Sequence, residues 1–170
     1  KSVLEASKER ISLAFDNFDR IYVSFSGGKD SSVMSHLVLA EAKKRNRKVG
    51  FLIIDLEAQY NDTISHIEHM IEIHKDYIDL HWVCAELLLR NAVSNYEPRW
   101  ICWDEEKKDV WVREKPKLAS ELSQYDFYQP KMEFEEFMVI FGDWYSQGKA
   151  TAAFIGIRSD ESLHRYRAIT

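Results

Sequence analysis

Cysteine is scarce in this chain: Cys84 and Cys102 are the whole complement of its 170 residues. Two thiols cannot form the multiple bridges that hold a small secreted domain together, so the expectation is a reducing, cytoplasmic setting. No run approaches the ~20 continuous apolar residues needed to cross a bilayer. Lys1 to Arg10 lack the apolar centre of a signal peptide. Positive charge is short as well, with 23 Lys and Arg against 28 Asp and Glu and a formal charge of -5. That balance argues against direct DNA binding and against an acidic membrane surface, although it leaves room for a local basic pocket. There is no initial Met and the sequence stops at Thr170, as a trimmed or partial chain would. What is present is apolar residue enough, 45%, for one domain with a buried core.

Hydrophobic periodicity lays out the elements. Residues 3 to 16 read as an amphipathic helix with Val3, Ala6, Ile11 and Leu13 on its apolar face. Ile21 to Phe25 reads as a strand, and Val33, Leu37, Val38 and Glu41 fit a helix running to about Asn46. Val49 to Ile54 is a continuous apolar run, the mark of a strand covered on both faces, and it stops at Asp55. A helix from Thr63 to Lys75 and a strand from Ile78 to Cys84 follow, and later a helix from Glu133 to Gln147 and a buried strand from Ala152 to Ile157. Strands alternating with helices predict βαβ units and a mostly parallel sheet. Residues 96 to 130 break the pattern. They hold all three prolines together with Trp100, Trp103 and Trp111. They read as an insertion packed over the sheet of a single domain spanning 1–170. Trp100 to Trp103 and Val110 to Val112 are its expected hairpin arms.

The densest chemical signal is the run Ser24-Phe25-Ser26-Gly27-Gly28-Lys29-Asp30-Ser31-Ser32, between a strand and a helix. Two glycines let backbone N–H groups approach an anion closely. The next helix offers unpaired N–H groups and a positive dipole end. Ser26, Ser31 and Ser32 add hydroxyls, Lys29 a charge, and Asp30 or Ser31 a cap. A bare Gly-Gly would read as a tight turn; in this setting the run reads as a phosphate cradle. It is not a Walker A loop, because Val23 stands where the first glycine belongs and Asp30 where Ser or Thr follows the Lys. Ligands of such sheets bind beyond the carboxyl ends of the strands. That rule adds two places, Asp55-Leu56-Glu57 and Gly156-Ile157-Arg158. Asp55 stands ready for ribose, adenine or a Mg²⁺ ion. Arg158 and Arg165 could converge on a phosphate or sulfate, with Glu161 holding one of them.

The run Ser26-Gly27-Gly28-Lys29-Asp30-Ser31 resembles the Ser-Gly-Gly-x-Asp-Ser signature of the PP-loop family. Gly156-Ile157-Arg158-Ser159-Asp160-Glu161-Ser162-Leu163-His164-Arg165 resembles the Gly-x-Arg-x-x-Glu-Ser-x-x-Arg motif of its PAPS reductase branch. With Asp55-x-Glu57-Ala58-Gln59, Trp100-x-Cys102-Trp103 and Tyr128-Gln129-Pro130, nearly the whole chain is similar to the IbrA/YbdN-like group of that branch. The resemblance implies a Rossmann-like α/β fold (adenine nucleotide alpha hydrolase-like), a mostly parallel sheet flanked by helices. It implies ATP with Mg²⁺, or PAPS, as ligand. It implies Ser26, Gly27, Gly28, Asp30, Ser31 and Ser32 at the phosphates, with Lys29 at the variable position. Ser24, Phe25, Asp55, Gly156, Arg158, Glu161, Ser162 and Arg165 complete the candidate nucleotide-binding set. Asp30, Arg158 and Arg165 are its candidate catalytic groups. The chain departs from true PAPS reductases in lacking their Glu-Cys-Gly-type redox motif.

Two function classes therefore stand. One is an enzyme, transferring an adenylyl group with release of pyrophosphate or handling a sulfonucleotide. The other is a nucleotide-sensing regulatory module without turnover, a co-activator of gene expression acting through a protein partner. Weaker constellations read as structure. His66, His69 and Glu72 form a polar helix face, no metal site is expected, Cys84 and Cys102 are packed thiols, and the three tryptophans are core of the insertion.

Overall fold

A computed structural model of the chain describes residues 1–157 and residue 167. In chain order the elements are α1 (Val3–Asn17), β1 (Arg20–Ser24), α2 (Lys29–Lys44), β2 (Val49–Ile54), α3 (Asn61–His74), β3 (Ile78–Val83), β4 (Leu87–Arg90), β5 (Arg99–Cys102), β6 (Met132–Glu133), α4 (Phe134–Ser146) and β7 (Thr151–Ile155). Short 3₁₀ turns at Lys75–Tyr77, Glu105–Val110 and Leu122–Gln124 fill the connections.

α1 starts at a capping box, in which Ser2 Oγ accepts from Glu5 N–H at 3.2 Å and the Glu5 carboxylate accepts from Ser2 N–H at 2.8 Å. It buries Ile11 and Phe15, one turn apart. Val3 and Leu13, expected on that face, are exposed; Leu13 is two residues from Ile11 and so points to the other side of the helix. α2 likewise turns Ser31, Ser35, Val38 and Ala42 inward and leaves Val33 exposed.

The main sheet is Rossmann-like, with four parallel strands in the order β3-β2-β1-β7 and helices packed against it. Residues Val49 to Ile53 of β2 are all buried, as a strand with sheet neighbours on both sides and cover on both faces requires. Ser24, the last residue of β1, lies opposite Leu52 on one side and Ile155 on the other. The chain moves from β1 outward to β2 and β3, and returns much later to lay β7 on the opposite flank of β1. Strand order therefore reverses at the carboxyl end of β1, the place where sheets of this kind bind ligands.

Two expectations are corrected. Val110 to Val112 is no strand; β5 pairs instead with β4, antiparallel, and β4 pairs with β6, making a second sheet in the order β5-β4-β6. Asp104 diverts the chain after β5: its carboxylate accepts from Glu106 N–H at 3.2 Å, starting a 3₁₀ turn, and its carbonyl accepts from Trp111 Nε1–H at 2.9 Å. The last strand is half-exposed, because among the described residues β7 has a sheet neighbour only in β1. α4 closes one face with Phe137, Phe141 and Tyr145, an i, i+4, i+8 stripe. These rings gather with Tyr125 around His81 of β3, whose Nδ1 lies 3.0 Å from the Tyr125 hydroxyl.

Candidate functional site

The glycine loop sits at the strand-order reversal. Phe25 N–H still donates to Leu52 O at 2.8 Å, carrying sheet pairing one residue past β1. The Phe25 side chain is core, 4.9 Å from the Phe51 ring centroid to centroid, so it anchors the loop. Gly27 then takes φ +76°, the left-handed region that favours glycine. A Cβ there would also stand 2.8 Å from Thr63 Cγ2 of α3. Gly28 differs. Its φ is −79° and a Cβ would meet only Ser26 Oγ, at 3.4 Å, so neither backbone conformation nor crowding at the Cβ demands glycine there.

Gly28 is the N-cap of α2 and supplies no side-chain cap, a helix N-terminus of the kind that suits an anion. The serines order the rim. Ser31 Oγ donates to Gly28 O at 2.9 Å and lies 3.0 Å from Ser26 Oγ; Ser32 Oγ donates to Gly28 O at 2.8 Å. Lys29 is exposed on the first turn and Asp30 follows it. Gly156, just past β7, closes the other side: a Cβ there would lie 3.0 Å from Ser31 Cα and 3.1 Å from Ser31 N. The candidates Ser24, Phe25, Ser26, Gly27, Gly28, Lys29, Asp30, Ser31, Ser32 and Gly156 are thus one contiguous place. Arg158, Glu161, Ser162 and Arg165 lie outside the described residues. Beside the loop a cleft of about 470 Å³ opens between α1, α2 and the end of β7, with Arg10, Asp30, Met34, Phe154 and Gly156 among its walls.

Asp55 has a different employment. Its carboxylate is buried and accepts from Glu57 N–H at 2.9 Å, from Trp82 Nε1–H at 3.0 Å and from the Arg113 guanidinium. Its carbonyl accepts from Trp103 Nε1–H at 2.6 Å. Glu57, two residues on and also buried, accepts from Trp103 N–H at 2.8 Å and Val112 N–H at 3.1 Å. The end of β2 therefore staples the 103–113 segment to the sheet. Sequence reasoning did not find Arg113 or the role of Glu57, since 58 residues separate the ion-paired side chains and no local motif marks either. A larger cleft, about 600 Å³, opens over this segment beside Lys108, Trp111, Arg113 and Lys115. Its Arg113 and Lys115 are already paired, with Asp55 and Glu105, so it offers little free charge.

Neither thiol is suited to chemistry. Both are buried; burial, with Asp55 nearby, drives the Cys84 thiol far up, and burial pushes Cys102 up to about 11. Among the described residues no group of three or more His, Cys, Asp or Glu is placed to hold a metal ion, and no helix is long and apolar enough to cross a membrane.

The sequence of the phosphoadenosine phosphosulfate reductase domain matches residues 20–169, a stretch that opens on β1 and takes in every strand of the parallel sheet. The uncharacterized protein YbdN of Escherichia coli (strain K12) is 41% identical over 170 residues, covering 99% of this chain and 41% of the relative's own length. The chain thus spans less than half of that relative. Sheet order, loop position and both matches lead to one assignment: the chain belongs to the phosphoadenosine phosphosulfate reductase domain family.

Proposed function

We propose that the chain binds an adenine nucleotide, ATP with Mg²⁺ or PAPS, with its phosphates at the Ser26–Ser32 loop, and acts on the phosphate chain. The observation that carries this reading is Gly28. It caps α2 with no side chain, in a conformation that does not need glycine, at the strand-order reversal. A helix N-terminus whose cap residue has no side chain suits an anion, whose oxygens can accept from the first-turn N–H groups.

In this reading the first-turn N–H groups of α2 and the hydroxyls of Ser26, Ser31 and Ser32 hold phosphate oxygens, and Lys29 adds charge from the rim. Gly156 packs directly against the Ser31 backbone and so brings the end of β7 to the rim of the loop. Mg²⁺ fits a site of this composition, because it takes one or two protein carboxylates and completes its shell with water and phosphate oxygens. Asp30 is the carboxylate at the loop. When bound there, the ion would supply positive charge to offset that of the phosphates. Positioning and fixed dipoles then do most of the work. An acceptor attacks the α-phosphorus, the bond to the bridging oxygen breaks, and pyrophosphate leaves, with Arg158 and Arg165 offsetting the developing charge.

In the PAPS version Arg158 and Arg165 hold the sulfate or the 3′-phosphate, and the reducing thiol comes from elsewhere, since Cys84 and Cys102 are both buried with their thiols pushed up. The test is multiple-turnover release of pyrophosphate from ATP and Mg²⁺ against a panel of nucleophilic acceptors. Turnover supports the enzyme; tight binding with no turnover for any acceptor favours the regulatory module and its protein partner.

A further inference from the structure

Behind the glycine loop stands the second turn of α3, and it presents an imidazole to the loop's last serine. His66 Nε2 lies 2.8 Å from Ser32 Oγ, which in turn lies 2.8 Å from the carbonyl oxygen of Gly28. Thr63 and Ile67, on the same side of α3, pack against Gly27, so this helix is the loop's back wall. The half-buried His66 ring lies 6.0 Å from the Phe25 ring, centroid to centroid.

Counting protons decides what the contact means. A serine hydroxyl has one proton to give and can accept at its oxygen. The Gly28 carbonyl can only accept, and Ser31 Oγ–H and Ser32 N–H also reach it, each at 2.9 Å. Two oxygens 2.8 Å apart need the proton between them. With Ser32 donating to Gly28, His66 donates to Ser32 through Nε2–H.

We propose that His66 is a positioning residue of the phosphate site. Its Nε2–H holds Ser32 Oγ from behind, so an arriving phosphate takes the Ser32 proton by a turn of the hydroxyl alone, away from a carbonyl that keeps two other donors. Accepting from His66 polarises the hydroxyl and makes it the stronger donor. The charged and titratable neighbours are Asp62 and His69, about one turn away on α3, and Lys29 and His36, one turn either side of Ser32 on α2. The segment after β1 presents Phe25. This inference rests on the nucleotide reading above and names a residue that the loop motif does not include.

The test is a double-mutant cycle read by calorimetric titration with ATP and Mg²⁺, and separately with PAPS. Ser32→Ala is expected to weaken binding about tenfold or more, the scale of a hydrogen bond to a charged group. His66→Phe keeps the ring and removes the donor; it should lose several-fold, and the double variant should lose no more than Ser32→Ala alone. His66→Gln, whose amide N–H can reach the same oxygen, should recover most of the affinity. A long-range ¹⁵N–¹H spectrum of the wild type, before nucleotide, should show the His66 proton on Nε2. Wild-type affinity in folded His66→Phe, additive losses, or a proton on Nδ1 alone would overturn the inference and leave the nucleotide reading standing. Failure of the wild type to bind either nucleotide would overturn both.

Discussion

At the scale of single residues, the two adjacent glycines do different jobs, and substitution separates them. Gly27 combines a φ of +76° with a wall of Thr63 and Ile67, so Gly27→Ala meets both backbone strain and overpacking. The expected loss is about 2–4 kcal/mol of unfolding free energy in urea. Gly28→Ala, at an ordinary φ and with 3.4 Å to its nearest neighbour, should cost about 1 kcal/mol or less. Equal losses would show that the loop is held otherwise. The thiols give a second residue-scale outcome. With both sulfurs buried and Cys102 pushed up to about 11, an aromatic disulfide reagent at pH 8 should react with neither in the native protein and with both in urea. Prompt native reaction of either would restore thiol chemistry as an option. The loop residues were legible in the sequence because seven adjacent positions between a strand and a helix carry them. His66 was legible only as one of a polar helix face, since its partner Ser32 is 34 residues away.

At the scale of elements, the end of β2 is a joint. Asp55 and Glu57 take hydrogen bonds from Trp82, Trp103, Val112 and Arg113, and so couple β2, β3 and the 103–113 segment. The Arg113 side chain is 14% exposed and that of Asp55 only 1%, so Arg113→Ala strands a buried carboxylate. That should cost about 3–5 kcal/mol in urea unfolding. Lys115→Ala, which breaks a more exposed pair with Glu105, should cost about 1 kcal/mol or less. Comparable losses would mean that the staple does not hold the segment. Here the sequence was only half readable. Asp55 was expected as a ligand group from its place at a strand end, yet a strand-end carboxylate serves equally as a structural acceptor when a distant arginine reaches it. The run Leu87 to Arg90 is only four residues long, so although Asn91, Ser94 and Asn95 mark a turn after it, β4 appeared only once β5 was seen beside it. The false hairpin arm at Val110 to Val112 came from apolar residues that are exposed in a 3₁₀ turn and its exit.

At the scale of the whole molecule, the βαβ alternation was enough to set the parallel sheet, with Val49 to Ile54 as its clearest member, a continuous apolar run of the kind a strand covered on both faces shows. The strand order was not legible, since nothing local says that β7 joins the far flank of β1 after 126 intervening residues. That order is what makes the loop a site. It puts Gly156 against Ser31 and sets Gly28, the N-cap of α2, at the point of reversal. The family assignment agrees with this architecture, and the proposal built on it is that phosphates of an adenine nucleotide meet the first turn of α2 at Gly28.

The most direct test is calorimetric titration of the wild type and of Gly28→Val with ATP and Mg²⁺, and with PAPS. The backbone at Gly28 tolerates a side chain, so the variant should fold, as circular dichroism and urea unfolding will verify. The account predicts saturable binding of at least one nucleotide to the wild type and no detectable heat from the folded variant. Wild-type affinity in Gly28→Val, or no binding of either nucleotide by the wild type, would contradict it.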